Sequence, residues 1–197
     1  MADKKATIRT GRPRSIESQQ AILDATWKLL KKISVRDLSI EGIAKEAGVG
    51  KTTIYRWWPS KTAVVVDAFM TRVITDICFS ESDNAQEELL KQIASLAKAL
   101  SGENGRIVAE IIAEGQTDKE ALQDFRDRFL FPRREAAKQV IIQGIKTGEF
   151  NSNLDLELAM DILYGPIYYR LLLGHLPLNQ EFSSLMSEMA LQCLKKG

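Results

Sequence analysis

Residues Ile43 to Lys61 read IAKEAGVGKTTIYRWWPSK, two short helical patterns joined by a glycine-centred turn and closed by proline. Ile40, Ile43, Ala44 and Ala47 recur at helical spacing, and Gly48 stands where a left-handed residue ends a helix without a Cβ penalty. A second helix is expected from about Lys51 to Trp57, with Ile54 and Trp57 turned inward at i and i+3. Lys51, Thr52, Thr53, Tyr55 and Arg56 then face solvent. Pro59 stops it, because the residue before a proline is pushed away from helical angles. The inward set Ile43, Ala44, Ala47, Val49, Ile54 and Trp57 fits two helices crossing steeply, with small Ala44 allowing close approach. This is a helix-turn-helix over about 39–58.

The same letters contain GVGKTT, the tail of a phosphate-binding loop. That motif needs glycine five positions before its second glycine, where this chain has Lys45, and no strand pattern precedes it. The nucleotide-binding reading fails on spacing.

At 197 residues with 45% hydrophobic content, the chain is long enough for one or two domains with a real core. Net charge is +1, but the balance is uneven. Residues 1–61 hold thirteen Lys or Arg against six Asp or Glu; the remainder holds fourteen against twenty. A basic end on an acidic body points to a polyanion meeting one end only. Cys78 and Cys193 have no C-x-x-C spacing and are expected as buried small hydrophobes in a reducing cytoplasm. The basic start lacks an apolar h-region, and the apolar run Ile162 to Tyr169 is far too short for a bilayer, so no membrane partner is expected.

Residues 1–14 are polar and aperiodic, a flexible basic arm. Within it, Arg12 and Arg14 flank Pro13, an extended arrangement suited to a minor groove or to phosphates. A packing helix follows from Ser15 or Glu17 to Ile33, carrying Ile22, Ala25, Trp27, Leu29 and Leu30. Ser39 is a natural N-cap for the helix at Ile40 to Ala47, with an oxygen also able to reach a phosphate.

Three motifs, Leu38-Ser39-Ile40-Glu41-Gly42-Ile43-Ala44, Ala47-Gly48-Val49-Gly50-Lys51-Thr52-Thr53-Ile54-Tyr55 and Trp58-Pro59-Ser60-Lys61, make residues 15 to about 75 resemble the TetR family of bacterial transcriptional regulators. Gly50 departs from the serine common there, and Trp57-Trp58 from the usual histidine, tyrosine or phenylalanine. The resemblance implies an all-α homodimer with a three-helix DNA-binding domain at 15–75 and a ligand-binding and dimerisation domain at 76–197. It places Lys51, Thr52, Thr53, Tyr55 and Arg56 on a recognition helix. By chemistry, Lys51, Thr53 or Arg56 suits base edges, Tyr55 and Lys61 suit phosphates, and Trp58 suits packing or a backbone contact. The fourth helix, Lys61 to about Phe79 with Ser60 as its cap, is implied to link the two domains, with Cys78 and Phe79 near a pocket.

Further helices are expected at Glu87 to Leu100, Arg106 to Glu114, Asp118 to about Ile145, Leu154 to Leu173 and from Asn179 onward. Pro132 should kink the third of these after Phe131. Phe125, Phe129, Tyr164, Tyr168 and Arg170 are candidate ligand contacts, suited to an effector with an apolar body and a polar or acidic end. The last two helices are too apolar to be hidden in one small bundle and are expected to pair across a two-fold axis.

Nothing suggests catalysis. His175 stands without a second histidine or nearby cysteine, no G-x-S-x-G or H-E-x-x-H occurs, and no cofactor or metal is expected. The expected function is therefore a ligand-released repressor that binds a pseudo-palindromic operator in double-stranded DNA as a homodimer, released by a small molecule of unknown identity. The alternative is a helical adaptor whose basic end binds acidic protein or membrane surfaces.

Overall fold

The computed structural model describes residues 13–73 and 84–195, and the regular elements among them are all helical. They are α1 (Pro13–Leu30), α2 (Ile40–Ala47), α3 (Lys51–Tyr55), α4 (Lys61–Val73), α5 (Ala85–Ala99), α6 (Gly102–Gly115), α7 (Lys119–Phe125), α8 (Phe131–Thr147), α9 (Leu156–Leu173) and α10 (Gln180–Gln192). Arg12, Cys78 and Phe79 lie outside the described residues. α1 starts at Pro13, two residues before Ser15, as suits a residue whose missing N–H is not needed in the first turn. Arg14 therefore belongs to the backbone of α1, and the arm would end before it.

The boundaries follow side-chain caps. Ser39, Asn84, Asp118, Asp155 and Asn179 each accept a hydrogen bond from a backbone N–H in the first turn of the helix they precede, satisfying donors that have no intrahelical partner. Gly48 ends α2 at φ 67°.

A continuous apolar core runs from Ile22 in α1 to Leu194 after α10. α4 is its hinge piece. Ala63, Val64, Val65, Val66, Ala68 and Phe69 are all buried, because α4 packs on α1 on one side and on α7 on the other. Its exposed polar residues, Thr71 and Arg72, stand in its last turn.

α7 and α8 form one rod with a five-residue π-helical turn, Arg126–Leu130, between them. Within that turn the Phe131 N–H reaches back to the Arg126 carbonyl, a five-residue step. The sequence predicts a kink after Phe131; the irregularity in the structure is a widened turn just before it. Pro132 lacks an N–H and would push its ring into the carbonyl four residues earlier, and the wider turn relieves that conflict.

Among the described glycines, Gly105 in α6 has the nearest neighbour to its missing Cβ. A Cβ there would sit 1.9 Å from the Leu100 carbonyl oxygen and 2.8 Å from a Leu171 methyl. The first obstacle is backbone and cannot rotate aside. Gly105→Ala is therefore expected to destabilise by about 1–3 kcal/mol or more, read as a lower midpoint in urea unfolding. An unchanged midpoint would show that the α5–α6 corner yields freely.

Candidate nucleic-acid interface and cavity

The candidate nucleic-acid surface is built on the α2–α3 corner. The Ser39 Oγ accepts from the Gly42 N–H at 3.1 Å and starts α2. After Gly48, the Val49 N–H returns to the Ala44 carbonyl at 3.0 Å, closing the turn. Gly50 in extended geometry then opens α3. Ile54, wholly buried, pins α3 against the core, which leaves Lys51, Thr52, Tyr55 and Arg56 exposed and Thr53 half-buried. Every side of α3 except the one pinned by Ile54 thus offers an ammonium, two hydroxyls, a phenol and, just after it, a guanidinium, the donor set that reads base edges and phosphates.

Three expected contacts stand differently in the structure. Trp58 is 1% exposed, with its indole N–H donating to Asp67 Oδ2 at 2.7 Å, while Trp57 is 39% exposed. Trp58 thus takes the packing alternative expected of it and is removed from the candidate contacts, while Trp57, expected inward, is the exposed one. The turn after Tyr55 keeps the Trp58 N–H on the Ile54 carbonyl at 3.0 Å, and that i+4 step carries Trp58, not Trp57, onto the buried side. Lys61 is committed inward as well. Its ammonium donates to the Val35 carbonyl at 2.8 Å and to that of Arg36 at 3.3 Å, clamping the turn before α2. Finally, Lys51 is paired with Glu41 at 2.8 Å. That hydrogen bond holds the Glu41 carboxyl below its usual range and raises the Lys51 ammonium. Both side chains are more than half exposed, and so open a pair is readily exchanged for a phosphate.

The second feature is a cavity of about 310 Å³ between α5, α6, α7, the π turn, α8 and α9. Phe125, Tyr164 and Tyr168 line it as expected of them. Phe129 does not: it is fully buried behind the wall, 5.1 Å from Phe125 and 5.7 Å from Phe69 between ring centres. Arg170 is a correction too. Its guanidinium lies 3.7 Å from the Phe182 ring centre and donates to the Pro177 carbonyl at 2.9 Å, on the opposite side of α9. It borders instead an apolar groove between α9 and α10 lined by Ile162, Phe182, Leu185 and Met189. Cys193 also borders that groove and is exposed, not buried as expected.

The cavity's cations are three arginines that aromatic spacing did not pick out, Arg126, Arg133 and Arg134. A usable signal was present. Leu122, Arg126, Leu130 and Arg133 fall at i, i+4, i+8 and i+11, one helical face mixing leucine with arginine. Gln92 completes the polar lining by accepting from the Tyr164 hydroxyl. Burial pushes the Tyr164 phenol up and that of Tyr168 up to about 12, so both are protonated donors at neutral pH.

Cavity and α3 surface are joined by side-chain bridges. Arg128, in the π turn, donates to both Asp67 oxygens at 3.1 and 3.2 Å, and Asp67 in turn holds Trp58. Ser60, which caps the start of α4 by accepting from the Ala63 N–H at 2.9 Å, donates to Asp124. On α6, Arg106 donates to the Leu30 carbonyl at 2.6 Å, and Glu110 accepts from the Val35 N–H at 2.8 Å.

Comparison with known proteins bears on both features. The family described as "Bacterial regulatory proteins, tetR family" matches residues 22–68, and "Tetracyclin repressor-like, C-terminal domain" matches residues 80–189. The chain is 36% identical over 163 residues to the HTH-type transcriptional regulator YdeS of Bacillus subtilis, covering 83% of this chain and 82% of that protein. It is 24% identical over 151 residues, 74% of this chain and 77% of its partner, to the fatty acid metabolism regulator protein of the same species. Among solved structures, the TetR-family regulator SCO0332 superposes with a TM-score of 0.77 at 28% identity, covering 91% of this chain and all of that one. FadR of Bacillus subtilis, solved with stearoyl-CoA, superposes with a TM-score of 0.67 at 22% identity over 87% of this chain and 97% of its own.

Proposed function

The chain belongs to the TetR family of bacterial transcription regulators and is a DNA-binding regulator; from that premise we propose that it is a homodimeric repressor released from its operator by a small molecule held in the α5–α9 cavity. The observation that carries the DNA half is the exposed polar face of α3, held rigidly by buried Ile54 beyond a glycine turn. The relatives are regulators and not enzymes, and the adaptor alternative loses its ground with them. No helix among the described residues is long and apolar enough to cross a membrane, and we place the protein in the cytoplasm with the DNA it reads.

We take residues 13–75 as the reading domain, 76–197 as the effector and dimer domain, and 1–12 as a basic arm; Arg12 from the arm and Arg14 from the start of α1 would meet the minor groove. Thr53 and Arg56 are assigned to base edges; Lys51, Thr52, Tyr55 and Ser39 to phosphates and register. Two-fold symmetry of the protein requires an operator of two inverted half-sites. The α9–α10 groove supports the dimer: Leu185 and Met189, which border it, are 57% and 73% exposed in the single chain, an apolar face that a second copy would bury.

Release follows the bridges. A ligand that reshapes the π turn moves Arg128 and Asp124, and with them Asp67, Trp58 and Ser60. A ligand shifts this equilibrium only as far as it binds the released form better than the DNA-competent one.

The test uses a duplex from the protein's own promoter region and a scrambled control at several salt concentrations. Arg56→Ala and Thr53→Ala are expected to reduce discrimination by about 1–3 kcal/mol per contacted base pair. Lys51→Ala should weaken both duplexes alike and flatten the salt slope by about one. Equal affinity of the wild-type protein for promoter and scrambled duplex would overturn the reading.

A further inference from the structure

We infer that the effector is a compact apolar monocarboxylate whose carboxylate is taken by Arg126. This rests on the effector reading of the cavity proposed above and supplies the class of molecule. Solved neighbours of this fold include one in complex with resorcinol and one in complex with stearoyl-CoA. The fold therefore does not choose the ligand, and this cavity's own side chains must.

Arg126 is the side chain in need of a partner. One terminal nitrogen donates to Gln123 Oε1 at 2.8 Å, but its Nε is buried with no acceptor within reach, and no carboxylate pairs with the guanidinium among the described residues. A buried N–H without an acceptor is uncommon in a folded protein and calls for an occupant. A guanidinium presents parallel N–H groups that match a carboxylate in two-pronged geometry. The neighbouring charges favour an anion as well. Arg134 is already neutralised by Glu157 at 2.6 Å and Asp161 at 2.8 Å, so Asp161, the one carboxylate lining the cavity among the described residues, is committed. Arg133 adds a second positive charge, stacked 4.4 Å from the Phe129 ring centre. Tyr168, protonated, adds a donor.

The rest of the wall is apolar: Leu96, Ile112, Leu122, Phe125 and Leu130. A volume of about 310 Å³ lies at the low end of the range for small-molecule sites, roughly 300–1,000 Å³. It suits a medium-chain or phenyl-substituted acid, without room for a nucleotide-sized head. Because Arg126 begins the π turn that also holds Arg128, an anion drawn to Arg126 acts on the element that grips Asp67.

The experiment measures binding of decanoate and 4-phenylbutyrate to the full chain by calorimetry, beside decan-1-ol, decylamine and decanoyl-CoA. At least one free acid is expected to bind once per chain, at least tenfold more tightly than the alcohol, the amine or the thioester. Arg126→Gln should weaken the acid on the order of ten- to a hundredfold and leave the alcohol unchanged, while Arg126→Lys recovers part of the loss. Binding of neither acid, equal binding of acid and alcohol, tighter binding of the thioester, or full acid affinity in Arg126→Gln each overturns the inference. Retention of promoter duplex by acid-free wild type and Arg126→Gln is measured in parallel. Loss of that retention in wild type would count against the repressor reading and not against the carboxylate site.

Discussion

Trp58→Ala is expected to destabilise the protein by about 3–5 kcal/mol and to abolish DNA retention, whereas Trp57→Ala should leave the unfolding midpoint nearly unchanged. The adjacent tryptophans occupy opposite environments. Trp58 is 1% exposed, in the apolar cluster that includes Ile22, Ile43 and Ile54. Truncation removes the largest side chain of that cluster and leaves a cavity that neighbouring helices fill only in part. It also strips a donor from Asp67, whose carboxylate then keeps only Arg128. Both effects fall on the start of α4 and the back of α3, so the reading surface loses its support without losing a contact residue. A Trp58→Phe variant should restore most of the packing but not the indole hydrogen bond, separating a transfer-and-cavity loss from a bond worth about 1.5–3 kcal/mol to a charged acceptor. The measurement is urea unfolding followed by circular dichroism, with duplex retention alongside. A Trp57→Ala variant less stable than Trp58→Ala would reverse the assignment.

That pair of residues shows where sequence suffices and where it stops. The α2–α3 corner is legible because each step has a local cause: Ser39 caps, Gly48 takes positive φ, and Ile40, Ile43, Ala44 and Ile54 fall at helical spacing. From Ile54, however, i+3 and i+4 are both inward positions, and only a partner across the core decides between them. That partner is Asp67, nine residues on and invisible to periodicity. Lys61 fails for the same reason, since its acceptors are carbonyls in the Val35–Arg36 turn.

The cavity divides in a more instructive way. Tyr164 and Tyr168 are four residues apart and share a face of α9. Arg170 is two residues further, and at about 100° per residue it points away from them, as the structure has it against Phe182. Helix geometry alone was enough to exclude it. Arg126 was legible by the same rule, sharing a face with Leu122, Leu130 and Arg133. The π turn was not, because it reflects a conflict between Pro132 and the preceding turn that widening the helix relieves.

The double substitution Leu185→Asp with Met189→Asp is expected to convert the protein to a monomer and to lower operator affinity by at least a hundredfold, with α3 untouched. Leu185 and Met189 are 57% and 73% exposed, one turn apart on α10, and both border the groove with Ile162, Pro166 and Phe182. If a second copy covers this face, two carboxylates per chain enter an apolar interface and meet their symmetry mates. Burying an unpaired charge there costs several kcal/mol, and the two-fold axis doubles each cost. Because both positions are exposed in the single chain, the fold should survive with a near-native unfolding midpoint extrapolated to low protein concentration. Operator binding suffers through valency. A dimer placing one head delivers the second at an effective concentration set by its rigid body, and a monomer forfeits that gain. Analytical ultracentrifugation gives the assembly state and duplex retention the affinity. A variant that stays dimeric would show that α10's apolar face is not the interface. A monomer that keeps full affinity would show that the operator is read one half-site at a time, which the inverted-repeat reading does not allow.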